Sequence, residues 1–128
     1  YPFTQFGAEG DFISCIYYGS ISSQATEQLL GRYGQDGSFL LRDSETLPGA
    51  YCLCVRKAPF VHTYRLVHSM DGWSVQGFGR QIFHKLETLI ETCRTLSSTE
   101  IVPLTHPLDK THVLQHMQIL FWRARNRR

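Results

Sequence analysis

The stretch GSFLLRDSE, residues 37–45, decides how this chain folds, because it reads as a buried strand that ends on a fixed charge. Phe39, Leu40 and Leu41 make the apolar middle, and the run carries straight into Arg42. A guanidinium stays protonated in proteins, and burying one without a partner costs several kcal/mol. Side chains alternate along a strand, so Ser38, Leu40, Arg42 and Ser44 share one face while Phe39, Leu41 and Asp43 share the other. Arg42 therefore looks along its face toward Ser44 and the loop that Glu45 and Thr46 open. Backbone N–H groups in such a loop, with the Ser44 and Thr46 hydroxyls, form a concavity suited to an anion. A planar guanidinium beneath it matches a phosphate, which takes two parallel charge-assisted bonds. Arg65, in TYRL, lies two strands along and is placed to face the same concavity. The alternative is an ion pair with Asp36, Glu27 or Glu91 that only holds the fold, and the residues by themselves leave both open.

The neighbouring segments build outward from that strand. In ISSQATEQLLGRYG, Ser22 or Ser23 caps a helix that carries Ala25, Leu29 and Leu30 at helical spacing and ends at Gly31 or Gly34. AYCLCVRK is a second strand with Tyr51, Leu53 and Val55 on one face, and FVHTYRLVH a third. Asp71-Gly72 marks a hairpin into a short strand, WSVQ. FHKLETLIETCRTL places Phe83, Leu86, Leu89, Ile90 and Cys93 on one helical stripe, and EIVPLTHP is a last extended piece. The order predicts an α+β fold, a central antiparallel β-sheet flanked by two α-helices. Residues 1–15, without period, are expected to carry little structure. Residues 110–128 read either as a flexible basic tail or as a basic amphipathic helix, with Val113, Leu114, Met117, Leu120 and Phe121 at helical spacing.

At 128 residues the chain is expected to be one domain. Its net charge of +2 is too mild to argue for nucleic acid, and no stretch approaches a membrane span. Cys15, Cys52, Cys54 and Cys93 are too scattered for a disulfide framework and are expected as thiols. His112 and His116 stand at i, i+4 without a third ligand nearby, so no metal is expected. GFGR at 77–80 lacks the strand-turn-helix setting of a nucleotide loop. No nucleophile and base pair is recognisable, and neither enzyme activity nor a cofactor is expected.

Five stretches taken together resemble a known family. YYGSISSQATEQLL (17–30), DGSFLLRDSE (36–45), GAYCLCV (49–55), HTYRL (62–66) and FHKLETLIE (83–91) occur in the order and spacing of a Src homology 2 (SH2) domain. The resemblance is strongest to the SLAM-associated protein (SAP) group of free-standing adaptors, and next to the modules that lipid phosphatases carry. It implies an extension over 1–15, an SH2 domain over 16–109 and a basic tail over 110–128. It implies that Arg42 binds the phosphate of a phosphotyrosine, that Ser44, Glu45 and Thr46 close over it, and that Arg65 flanks the phenol ring. Tyr64 is then the aromatic that the peptide crosses, and Thr63, Val75 and Ile101 line a specificity pocket with it. The implied partners are tyrosine-phosphorylated tails of cell-surface receptors of the immune kind, met in the cytoplasm. A Src-family kinase is implied as a second partner, although His84 stands where that contact's arginine is expected. Two further departures concern binding itself: Ser23 replaces a second phosphate-binding arginine, and Thr99-Glu100 replaces a glycine and an apolar residue. The alternative is a targeting domain of a larger signalling enzyme, an inositol phosphatase or a tyrosine kinase.

Overall fold

The computed structural model describes residues 8–79, 81–95 and 101–125. Ser38–Asp43 form β1, buried along almost its whole length and on both faces, which is why its sequence shows a continuous apolar run instead of alternation. Tyr51–Lys57 (β2) pair antiparallel with it, Phe60–Ser69 (β3) with β2, and Gly72–Val75 (β4) with β3. The order across the sheet is β4-β3-β2-β1-β5, where β5 is His106–Pro107, parallel to β1. Among the described residues of the expected last extended piece, those two join the sheet.

Helices cover both faces. Ser23–Tyr33 form a helix capped by Ser22, whose hydroxyl accepts from the Ala25 N–H at 3.0 Å, and Gly34 closes it by donating to the Leu30 carbonyl. Its Leu30 packs with Leu40, Cys52 and Cys54 on the face that also carries Arg42. Leu86–Thr95 form a helix that sets Leu86, Leu89 and Ile90 against Phe39, Leu41, Leu53, Val55, Tyr64 and Leu66 on the other face. The architecture is the α+β sandwich expected, and all four cysteines are thiols.

Two local readings are corrected, and one left open is resolved. Ala8–Ile16, expected to carry little structure, is a helix: Ile16 is fully buried, and Phe12 and Ile13 pack on the Leu86–Thr95 side. Packing, not periodicity, holds so short a segment helical. Phe83 lies outside the helix and instead exchanges two backbone hydrogen bonds of 2.7 Å with Trp73. That close approach needs Gly72, whose φ is +136° and whose place a Cβ could not share with the Phe83 carbonyl. Lys110–Arg125, read as flexible tail or helix, is helical. Asp109 accepts from the Thr111 N–H at 2.8 Å, and Val113 is buried beside Leu108. In chain order these helices are α1 (Ala8–Ile16), α2 (Ser23–Tyr33), α3 (Leu86–Thr95) and α4 (Lys110–Arg125).

Candidate functional site

Cross-strand register puts three residues on one rung of the sheet: Arg42 of β1 opposite Cys52 of β2, and Cys52 opposite Arg65 of β3. Side chains of one rung point the same way, so both arginines rise on the α2 face with the thiol between them. Arg42 is only 4% exposed. One terminal nitrogen donates to the Asp43 carbonyl at 3.0 Å, and its Nε has no partner.

The carboxylates expected to compete for Arg42 are elsewhere. Asp36 sits 3.7 Å from Arg56, Glu91 sits 3.8 Å from Arg94, and Glu27 is exposed on α2. The Asp43 carboxylate points to the opposite face, where it accepts from the Tyr17 hydroxyl at 2.6 Å and the Ser20 hydroxyl at 2.8 Å. Those two donors hold the Asp43 pKa below its usual value. Arg42 thus has no carboxylate partner among the described residues. Its neighbour below is the Cys54 thiol, which burial pushes up to about 11 against the opposing pull of the Arg42 charge. Thr63 donates to that sulfur at 3.8 Å.

Above Arg42 the chain turns through residues 44–50. The Ser44 hydroxyl accepts from the Leu47 and Thr46 N–H groups at 3.1 and 3.4 Å, which curls the loop over the end of β1. Arg65 donates to the Thr46 hydroxyl at 2.9 Å and to the Gln76 side-chain carbonyl at 3.3 Å. Arg42, Ser44, Thr46 and Arg65 therefore converge on one end of the α2 face, while Glu45 is exposed in the loop.

The second group of expected residues divides between faces. Tyr64 is buried on the α3 face; its hydroxyl accepts from the Val102 N–H at 3.0 Å, and Val75 and Ile101 belong to the same cluster. Thr63, one residue earlier, faces the arginines and Cys54 instead, so it does not line a pocket with Tyr64. Phe78 meets the Tyr64 ring edge-on at 5.5 Å; nothing in the sequence marks it, since it sits between Gly77 and Gly79 in a loop without period. Between the two faces the outer edge of β3 is open: β4 pairs only from Leu66 onward, leaving Phe60–Tyr64 without an outer strand among the described residues. Ser23 is exposed at the start of α2, and His84 is exposed just before α3. Thr99 and Glu100 lie outside the described residues.

The family model of the SH2 domain matches residues 16–92, a span that holds Arg42, the loop after β1 and the open stretch of β3. The chain belongs to the SH2 domain family. SH2 domains are phosphotyrosine-binding signalling modules. This SH2 domain is 37% identical over 99 residues to SH2 domain-containing protein 1B of Homo sapiens, covering 74% of this chain and 75% of that protein. It is 36% identical over 99 residues to SH2 domain-containing protein 1B2 of Mus musculus, with the same coverage. Against phosphatidylinositol 3,4,5-trisphosphate 5-phosphatase 1 of Homo sapiens it is 37% identical over 100 residues, 75% of this chain but 8% of the phosphatase. No helix among the described residues is long and apolar enough to cross a membrane, and no cluster among them is fit to hold a metal.

Proposed function

We propose that this protein is a non-catalytic phosphotyrosine-peptide adaptor of the SAP group, working in the cytoplasm on phosphorylated tails of cell-surface immune receptors. The observation that carries the reading is Arg42, buried without an acidic partner among the described residues and with its Nε unpaired. A phosphate supplies the missing counter-charge and takes two parallel bonds from the guanidinium. The Ser44 and Thr46 hydroxyls and the loop N–H groups close over it, and Glu45 stays at the rim. Arg65, tied to Thr46, stands beside the phenol ring. The arginine lies at the floor of a sheet, so the longer phosphotyrosine reaches it and phosphoserine falls short. The peptide then crosses the open Phe60–Tyr64 edge, and an apolar residue after the phosphotyrosine meets Tyr64, Val75 and Ile101 on the far face. Residues 16–109 are the binding domain in this reading.

Similarity to proteins whose length this chain covers by about three quarters supports an adaptor over a phosphatase's targeting domain. With His84 in place of an arginine, recruitment of a Src-family kinase is not part of the proposal. The test is calorimetry with a phosphotyrosine peptide, its phosphoserine and unphosphorylated twins, and an Arg42→Ala protein. Binding should need both the phosphotyrosine and Arg42; equal affinity for the twins, or an unchanged Arg42→Ala titration, refutes the reading.

A further inference from the structure

Among the described residues, the outer edge of β3 is unguarded over Phe60–Tyr64. The Arg65 carbonyl accepts from the Gln76 N–H at 2.9 Å, so Arg65 turns its backbone groups away from β2. Backbone groups point to alternate sides along a strand, and those of Val61 and Thr63 therefore point outward as well. Such a row of N–H and C=O groups is a template for another strand, and folded proteins commonly blunt it with Lys, Pro or a bulge. Residues 60–64 read FVHTY, aromatic and β-branched residues around one histidine, with no Lys, Arg, Asp, Glu or Pro.

The stretch fits a second copy of itself. At one end Lys57 and Phe60 pair across the Ala58-Pro59 turn, and at the other β4 begins, with Val75 opposite Leu66. Antiparallel pairing about His62 sets Val61 opposite Thr63 of the second copy, and Thr63 opposite its Val61. Both residues carry outward N–H and C=O groups, so the two pairs make four hydrogen bonds. Each copy turns away at Pro59, just where β4 of the other begins, so the overlap is these five residues. Phe60, 66% exposed, then falls opposite Tyr64 of the second copy, at the apolar cluster that holds Val75. A foreign strand need not bring an aromatic ring to that position, whereas this chain's own sequence does so at both ends.

We propose that two copies of this protein pair through the open stretch of β3, antiparallel about His62, and that a phosphotyrosine peptide must part them to cross the same edge. The second half rests on the proposed function; the pairing itself does not. Five residues a side make a small contact, so the dimer is reversible and half-formed on the order of 100 μM.

Sedimentation equilibrium of the full chain, from about 10 μM to about 1 mM, should show a reversible monomer–dimer equilibrium. Val61→Pro removes an outward N–H and leaves the ladder to β2 whole. It should weaken the dimer at least about tenfold and keep the wild-type far-UV spectrum. Residue 62 faces its own copy in a non-hydrogen-bonded pair, where side chains come closest. Under mild oxidant His62→Cys should therefore crosslink between copies, whereas Val61→Cys, which faces Thr63, should do so no faster than the wild type with its four thiols. Saturating phosphotyrosine peptide should return the wild type to monomer. A chain that is monomeric throughout overturns the proposal and leaves the edge to foreign strands. So does a dimer that Val61→Pro leaves unchanged, or equal crosslinking at positions 61 and 62. A peptide that binds in calorimetry yet leaves the dimer whole overturns the second half. If no such peptide binds, the proposed function fails, while sedimentation and crosslinking still decide the pairing.

Discussion

Arg42→Met separates the cost of the site from its use. Methionine keeps the length and apolar stem of arginine and removes only the guanidinium. In the unbound protein that group is buried, has an unpaired Nε, and meets a carbonyl and a thiol where a carboxylate would be expected. An unsatisfied buried polar nitrogen costs about 1–3 kcal/mol, and replacing buried charge by apolar volume is often stabilising by a similar amount. The variant should therefore be more stable by roughly 1–3 kcal/mol, a rise in melting temperature of about 4 °C or more. Binding moves the other way. Two charge-assisted bonds of about 1.5–3 kcal/mol each vanish, so affinity for a phosphotyrosine peptide should fall about a hundredfold to ten-thousandfold. Urea unfolding and calorimetry on the same preparations give both numbers. Excess phosphopeptide should then raise the midpoint of the wild type by mass action and leave the variant where it was. If Arg42→Met instead lowers stability by more than about 1 kcal/mol at an unchanged denaturant slope, the guanidinium is already compensated inside the fold and the reasoning is wrong.

Four further outcomes follow from single contacts. Tyr17→Phe removes the 2.6 Å bond that keeps Asp43 below its usual pKa and pushes Tyr17 up to about 12. The Asp43 contribution is present above its unfolded pKa near 3.8 and lost as pH falls through its lower folded value; that of Tyr17 is present below 10 and lost toward 12. The variant should lose about 1 kcal/mol at neutral pH and show a flatter stability curve at both ends, measured by urea unfolding across pH. Arg56→Met strips the donors from the Leu30 and Gly34 carbonyls at the end of α2, and should lower stability by about 2 kcal/mol without changing peptide affinity. Gly72→Ala forces a side chain onto φ +136° and against the Phe83 carbonyl, and should lower stability by about 2 kcal/mol or more in thermal unfolding. Ser23→Arg restores a second phosphate donor at the start of α2, and calorimetry should show about a tenfold to hundredfold gain in affinity with stability unchanged.

The sheet and the two helices on its faces were legible because their signals are local. A short apolar run bounded by turn residues marks β2, helical spacing marks the stripe of α3, and Ser22, Gly34 and Asp71-Gly72 punctuate the chain. α1 was not legible, since its helix rests on Ile16, Phe12 and Ile13 finding a core made by residues far away in sequence. The decisive property of Arg42 was equally hidden. Whether it keeps an acidic partner depends on Arg56 and Arg94 standing beside Asp36 and Glu91, which is a matter of tertiary packing. Thr63 is a different case: alternation already separates it from Tyr64, and grouping both in one pocket followed the family resemblance against that elementary rule.

That single-residue alternation is what joins stability to recognition here. Along β3, Thr63 and Arg65 face the buried arginine, whereas Tyr64 and Leu66 fill the core on the α3 side. Sliding β3 by one residue against β2 would turn Tyr64 and Leu66 out of the core and bring Arg65 into it, a loss of about 1.5–3 kcal/mol for each apolar side chain and more for the charge. The pairing of Leu53 with Tyr64 and of Tyr51 with Leu66 is therefore held by the core rather than by the ligand. Because the core fixes which residues face which side, the cationic end and the apolar end of the proposed groove are in place before any peptide arrives. Little ordering is then needed on binding, so the fold's own burial energy is what presets the site.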